Sequence, residues 1–478
     1  MYFNTLNTSN CSIIIKLYKY YVPVGIPAGL AKTLPKMNRL LLFLIMLFAV
    51  IGNNVSAQEV WTFSRCVEEG MKNNPEFQLR QLDILSAETR HRSPVMELLP
   101  KVGFTGTHSY SIGSTINPAT NSRVSSNIQS DNFALNANMD LINFNTFTQA
   151  RRDKIAILKA KADKEATAAE YQLSLLENYF NVLYSQELLK IQTSQFQNAK
   201  FNLARIEKEV EIGSKPQSDL YDMQVSYAQE ENTIVETRQL LYNQKLLLLQ
   251  LINVTGVSPN DIVLENFGML DNPETKTATE IFENAIQHYP KIRSSQLNEA
   301  ISEKNIKIQK NGYLPVVSAF YSYSSFYYLP LSQPGNKVDP FWTQLNDNKN
   351  HYMGLQLSVP VFNGFRNRRD VQLSKVENQQ RRVESEQEKI KLRQTIEQET
   401  AKREQNGILA QKLEQTRTFA QKSFETTQSK FTNGLVNVIV FTTSKNQLLT
   451  TEYNLLKAKF TMSYLHFKLN FLEFNSFD

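Results

Sequence analysis

Cysteine is nearly missing from this sequence, with two in 478 residues, Cys11 and Cys66. That is too few for a disulfide framework or a cysteine-based zinc site. Histidine is scarce as well, and its five members, His91, His108, His288, His351 and His466, are scattered. None forms an HExxH pair or another ligand spacing, and neither a P-loop nor a G-x-S-x-G elbow occurs. The chain therefore reads as a non-enzyme with no cofactor and no metal. Glycine and proline number 16 each, which argues against a loop-rich fold and leaves room for long uninterrupted helices. No apolar run approaches the ~20 residues that a spanning helix requires. A strong charge imbalance is missing too. The formal charge is +6, but Lys16, Lys19, Lys32, Lys36 and Arg39 fall in the first 57 positions, which hold no Asp or Glu. The remainder is almost neutral, so nothing requires nucleic acid as a partner.

What those first 57 residues do contain is a leader. In "MNRLLLFLIMLFAVIGNNVSAQ", Arg39 supplies a positive segment, Leu40 to Val50 an apolar run, and Val55-Ser56-Ala57 a small-residue cleavage site before Gln58. The run is about 11 residues, short of a membrane span. Met37 is a natural start, so residues 1–36 are expected to be an over-extended reading frame or a long leader. The product is an exported chain with Cys66 as its single thiol and no cysteine at the new terminus to carry a lipid.

An exported chain without an apolar helix enters a membrane only as a closed β-barrel. Four segments have the period of two that such strands need. Met353, Leu355, Leu357, Val359 and Val361 alternate with Gly354, Gln356 and Ser358. Their partner lies upstream, in the aromatic stretch "VVSAFYSYSSFYY" from Val316. Earlier, Val102, Phe104, His108, Tyr110 and Ile112 share one parity, and Phe133, Leu135, Ala137, Met139 and Leu141 alternate with Asn and Asp. These strands predict β-hairpins over about 101–143 and 316–363. The sets from Phe133 to Leu141 and from Met353 to Val361 are expected to face lipid. Alternation alone suits a soluble sheet with one dry face equally well. Export, the strand lengths and the clustered Phe and Tyr favour the membrane.

The hairpins belong to a repeat of the whole chain. "CVEEGMKNNPEFQLRQLDILSAE" from Cys66 aligns with "IFENAIQHYPKIRSSQLNEAISE" from Ile281 at an offset of 215, placing Pro75 on Pro290 and Leu99-Pro100 on Leu314-Pro315. Asn143 then matches Asn363, and Gly213 matches Gly434. The expected organisation is a first repeat at 58–254, a linker at 255–278 and a second repeat at 279–478. Each repeat is a helix, a β-hairpin, a long helix, a turn and a returning helix, with the helical hairpins at about 146–252 and 366–470.

From Thr146 to Ile212 there is no proline or glycine, which permits a rod of roughly 100 Å. Two apolar stripes run along it, Leu176/Phe180/Leu183 and Leu175/Tyr179/Val182/Leu189, and Leu449, Tyr453, Leu456, Phe460 and Tyr464 repeat the pattern. Adjacent stripes suggest coiled-coil contacts on both sides. Gly213 and Gly434 are expected to stop the long helices, with Ser218 as an N-cap after Pro216. Four strands cannot close a barrel, so protomers must pool them, two giving eight and three giving twelve. A conduit needs the wider barrel.

Taken together, the chain resembles the outer-membrane efflux proteins, the TolC-like family. The resemblance covers residues 58–478. It rests on the duplication, on "LPKVGF" and "LPVVSA" opening the hairpins, on "SVPVFNGFRNR" closing the second, and on the glycine-stopped tips. It implies a mainly α homotrimer whose hairpins make a twelve-stranded outer-membrane barrel, continued by a periplasmic helical tunnel. Such a protein is the exit duct for an inner-membrane pump joined through a periplasmic adaptor, in drug or metal efflux or in type I secretion. Adaptor contacts would then fall at Gly213, Ser214, Ser218, Gly434 and Asn437. An Asp six residues after the tip glycine is common in the family and can line the aperture. Asp219 keeps that place, whereas Val440 holds it in the second tip. Closure by packing, with Phe431, Val436 and Val440, is the expectation, alongside the alternative that these residues only seal adjacent helices. The rival function is a trimeric coiled-coil surface stalk or adhesin, which would ordinarily carry one terminal anchor rather than two internal hairpins.

Overall fold

The computed structural model describes residues 59–477 apart from residue 92, residues 117–120, residue 126, residues 267–275 and residues 332–337. The expected leader lies outside the described residues, as does the centre of the expected linker.

In the first half, β1 (Glu59–Trp61) leads into α1 (Phe63–Asn73), α2 (Pro75–Arg90) and the short α3 (Pro94–Glu97). A hairpin of β2 (Lys101–Ser111) and β5 (Ile128–Ile142) carries the small strands β3 (Ser114–Ile116) and β4 (Arg123–Ser125) in its loop. Two long helices follow, α4 (Phe144–Glu211, 68 residues) and α5 (Gln217–Ile252, 36 residues). After β6 (Ile262–Leu264), the order recurs with α6 (Ala278–His288), α7 (Pro290–Asn311), β7 (Val316–Pro330), α8 (Phe341–Asp347) and β8 (Asn350–Ser358). The second long pair is α9 (Arg366–Thr432, 67 residues) and α10 (Val438–Phe474, 37 residues).

Local chemistry sets these boundaries. Pro75 and Pro290 each stand at the first position of a helix, α2 and α7, where a missing N–H removes no bond. Asn143 caps α4 by accepting the Asn145 N–H at 3.0 Å. The aligned start of α9 is built otherwise: Gly364 and Phe365 are both left-handed, at φ +62° each. Asn363 there offers its backbone carbonyl to Arg366 N–H at 3.3 Å.

The main core gathers where α4, α5 and α10 run past α1 and the two short strands. Leu175, Leu176, Tyr179, Phe180, Val182 and Leu183 are all buried there. β1 and β6 pair in parallel, Val60 opposite Val263. The Tyr179 hydroxyl sits 3.0 Å from the Trp61 carbonyl and 2.7 Å from that of Glu265, pinning both strand ends to the rod. Cys66 is fully buried beside them, and burial pushes its thiol up to about 12. On α10 the buried row is Leu448, Leu455, Leu465 and Leu469 together with Leu449 and Phe460. Tyr453, Leu456 and Tyr464 are half-buried, one position off the expected stripe.

The four long strands form one antiparallel sheet in the order β2-β5-β7-β8. The seam between β5 and β7 joins the two halves, running from Ile128 opposite Pro330 to Ile142 opposite Val317. Among the described residues β2 and β8 have no partner on their outer sides.

Candidate channel surfaces at the two ends of the protomer

The register separates two faces, because residues opposite each other in an antiparallel pair point the same way. One face carries Val102, Phe104 and Gly106 of β2, opposite Ala137, Leu135 and Phe133 of β5. It continues through Tyr321, Tyr323 and Ala319 of β7 to Met353, His351 and Leu355 of β8. Apart from His351 and Ser325, the latter opposite Phe133, it is apolar, and it is open: Phe104 is 69% exposed and Leu355 72%. The other face holds Thr105, Thr107, Asn132, Asn136, Asn138, Ser318, Ser322, Ser324 and Gln356. Aromatic side chains interrupt it. Phe320 lies against Gly354, where a Cβ would come within 2.8 Å of its ring, and its ring centre is 5.1 Å from that of Tyr352.

Three expected members of the apolar face are corrected. A β-bulge between Asp140 and Ile142 drops Leu141 out of register, and Ile142 takes its place opposite Val317. Val359 and Val361 lie beyond the end of β8 at Ser358. Pro360 between them has no N–H to give to a ladder. Phe133, Leu135, Met139, Met353, Leu355 and Leu357 keep the common parity.

The apolar face ends in a polar row near the hairpin loops. His108 Nδ1 meets the Asp131 carboxylate, which also accepts from Gln129 Nε2 at 3.0 Å. At this level α8 stands in for the missing length of β8. The Gln344 side chain accepts the Tyr328 N–H and donates to the Tyr328 carbonyl, both at 3.1 Å. Asn348 Nδ2 donates to the Phe326 carbonyl at 2.8 Å. Side-chain amides thus occupy backbone groups that a strand would have paired.

At the opposite end of the rods both long helices stop alike. Gly213 and Gly434 adopt φ +76° and +73°. In each, the residue after the glycine bonds back five positions, Ser214 N–H to Glu209 and Leu435 N–H to Lys430, both at 2.8 Å. This is the Schellman stop, and glycine is there because its φ is positive. The returning helices start differently. Asn437 caps α10 by accepting the Val440 N–H at 3.1 Å. Ser218 is not the cap of α5: the helix begins at Gln217, Pro216 holds the cap position, and no side chain bonds there.

The two tips pack on each other. Phe431, Phe441, Ile206, Met223 and Val438 form a buried cluster, with Phe431 and Phe441 stacked at 4.4 Å. Two cations flank the Phe431 ring, Arg205 at 4.9 Å and Lys215 at 4.8 Å. Lys215 also lies 3.6 Å from the Asp219 carboxylate and 4.0 Å from Glu209. Phe431, one of the expected aperture residues, is therefore 1% exposed within the protomer, and Asp219 is ion-paired. Val436 is half-buried, while Val440 is 48% exposed. Arg205 and Lys215 were not among the expected site residues, since a lone Lys after a turn glycine carries no signal of a distant phenylalanine. Between tips and core, Lys445 of α10 forms a nearly buried ion pair with Glu230 of α5. Among the described residues no His, Cys, Asp or Glu group is placed to hold a metal ion, and no helix is long and apolar enough to cross a membrane.

A four-stranded sheet with one apolar face, set on paired helical rods, is the protomer fold of solved outer-membrane channels. The structure of CusC, described in terms of transmembrane channel formation, is 16% identical, with a TM-score of 0.72 over 86% of this chain and 91% of that one. The outer membrane channel CmeC of Campylobacter jejuni is 15% identical, at 0.68 over 86% and 85%. The outer membrane protein VceC of Vibrio cholerae is 13% identical, at 0.70 over 87% and 97%. No curated protein sequence matches the chain. The outer membrane efflux protein family matches residues 67–254 and 281–462, one segment in each half. The chain belongs to that family, and its place is the outer membrane.

Proposed function

We propose that the protein is the exit duct of a tripartite efflux or type I secretion system, working as a homotrimer with a periplasmic adaptor and an inner-membrane pump. The observation that carries this reading is the open sheet. β2 and β8 both present unpaired edges, and a bilayer leaves no water to satisfy them. Three protomers joining β8 to β2 give twelve strands, with the apolar face toward lipid and the Asn, Ser and Thr face lining a wet lumen. Exposed apolar rows outside the sheet support association: Leu79, Leu82 and Leu85 on α2, and Leu373, Val376 and Val383 on α9.

In this duct the protein performs no chemistry. Its lumen offers mainly neutral hydrogen-bonding side chains, with Lys101 and Asp140 of each protomer on the same face, and the pump supplies the energy. Gly213, Ser214, Ser218, Gly434 and Asn437 are the proposed adaptor contacts, on the outer surface of the tips. The aperture is proposed to close by packing around Val440, which leaves Phe431 to hold the two tips together and Asp219 neutralised by Lys215. The test is conductance of the purified protein in planar bilayers, with Val440→Asp beside the wild type. Three like charges crowded at the axis should raise resting conductance and antibiotic leakage. A monomer as the sole detergent-purified species overturns the duct. An unchanged leak at normal trimer yield removes Val440 from the aperture.

A further inference from the structure

The helix α8 is amphipathic in an unusual place. Its polar side is spent on the edge of β7, through Gln344 and the Ser325 hydroxyl, which donates to the Leu345 carbonyl at 2.6 Å. Its apolar side turns over the lipid-side face of the sheet. Phe341 packs edge-on against Tyr327 at 5.0 Å and Phe133 at 6.2 Å, and Trp342 points outward, 78% exposed. Between the helix and the strands lies a notch of about 620 Å³, lined by Phe104, Phe133, Tyr323, Trp342 and Leu345. Lys349 stands at its rim, held by the Asn346 side chain.

We infer that this notch holds an acyl chain of a phosphorylated lipid of the outer leaflet, with its phosphate at Lys349. The inference rests on the barrel reading above. Three observations select lipid as the occupant. The notch is continuous with the apolar face that the barrel turns toward the bilayer. It lies at Tyr323 and Ser325, halfway along β7 and on the loop side of the Met353, Leu355 and Leu357 row, and so toward the outer leaflet. It sits just on the rod side of the His108–Asp131–Gln129 row, where the apolar face gives way to polar groups, Phe133 two residues from Asp131 and Phe104 four from His108. An exposed tryptophan beside a lysine is what the interface between acyl chains and headgroups favours. The notch includes no residue of β8, and Phe104 of β2 is its side toward a neighbouring protomer.

The chain makes the test direct, because it has two tryptophans and the other, Trp61, is 3% exposed in the periplasmic core. The full-length protein is reconstituted into vesicles of phosphatidylethanolamine and phosphatidylglycerol in which one or the other lipid carries brominated acyl chains. Trp342 emission should be blue-shifted and quenched, and Trp342→Phe should abolish the quenched component. Bromine on the anionic lipid should quench at about fivefold lower lipid fraction than bromine on the zwitterionic one, the enrichment expected of one basic side chain at the surface. Lys349→Gln should erase that difference. A fluorophore on Leu355→Cys, far from α8, reports insertion independently. Quenching at Leu355→Cys without quenching at Trp342 overturns the notch and leaves the barrel standing. No quenching at either overturns both. Equal quenching by the two lipids in the wild type overturns the phosphate at Lys349.

Discussion

Leu355→Arg is the sharpest test of the two-faced sheet. Leu355 lies opposite Ala319, and Ala319 opposite Met139, so the three make an apolar row across β8, β7 and β5. Met353 and Leu357 flank it on the same face, both exposed in the protomer. In the proposed barrel an Arg near the bilayer midplane costs roughly 2–4 kcal/mol. Three copies per trimer make that roughly 6–12 kcal/mol, which is comparable to the whole stability of an ordinary domain. Gln356, one residue along, points the opposite way. It lies opposite Ser318, which lies opposite Asp140. An Arg there enters the wet lumen with a carboxylate two strands away, so the change should stay within about 0.5 kcal/mol. The assay is urea unfolding of vesicle-reconstituted protein, read by the mobility shift of folded trimer on gels. Trimer yield in the membrane fraction is the second readout. Equal losses at the two positions would refute the assignment of faces, and so would a Leu355→Arg trimer as stable as the wild type.

Three further outcomes follow from the rods and the core. Gly434→Ala should destabilise the second tip by roughly 1–2 kcal/mol through its positive φ alone, since no atom lies within 4 Å of the added Cβ. Hydrogen exchange at residues 430–440 measures this, and an unchanged protection pattern would count against the strain. Lys445→Ala should cost roughly 3–5 kcal/mol by stranding Glu230, while Lys445→Met with Glu230→Leu should recover most of it, as followed by urea unfolding. If the double variant is no better than the single, the pair adds net stability that apolar packing cannot replace. Cys66, with its thiol raised to about 12 by burial, stays protonated at all pH values below that range and should resist maleimide in the folded protein. Labelling at the rate of the urea-unfolded chain would show that the core around it opens.

The parts of this fold that follow from short-range rules were legible in the sequence. The length of α4 came from missing proline and glycine, the tips from Gly213 and Gly434, and the faces of β5 and β8 from their alternation. Long-range pairings were not legible. Nothing in "VVSAFYSYSSFYY" tells that its partner on one side is β5 of the other half, because a period of two fixes a face and not a neighbour. The bulge that displaces Leu141 is equally silent, since Leu141 and Ile142 are both apolar and either one could hold the place. β1 and β6 are three residues each, too short for any period to show, and the Tyr179 hydroxyl bonds to Trp61 and to Glu265 just past β6. The notch beneath α8 needed Gln344 to be seen on the edge of β7, and "FWTQLND" after Pro340 reads only as loop.

The two tips show what the duplication has kept and what it has let go. Stopping a rod is a backbone problem with one cheap solution, a left-handed glycine bonding back over the last turn, and both halves retain it. Starting the return helix has several solutions, and the halves diverge. Asn437 closes one with a side-chain cap. The other leaves Pro216 uncapped and brings Asp219 into the first turn, where the helix dipole and Lys215 both favour its charge. Lys215 in turn lies over Phe431 of the opposite tip, so the acidic residue is tied to the packing that joins the two hairpins rather than left free to face an axis. Asp219→Ala should therefore loosen the tip before it alters ion passage. Lys215 would lose its nearest carboxylate and keep only Glu209, at 4.0 Å, and the Phe431 ring. Exchange protection around Phe431 should fall while cation selectivity of the conducting protein stays constant. A shift in selectivity with the tip still protected would place Asp219 on the conduction path instead.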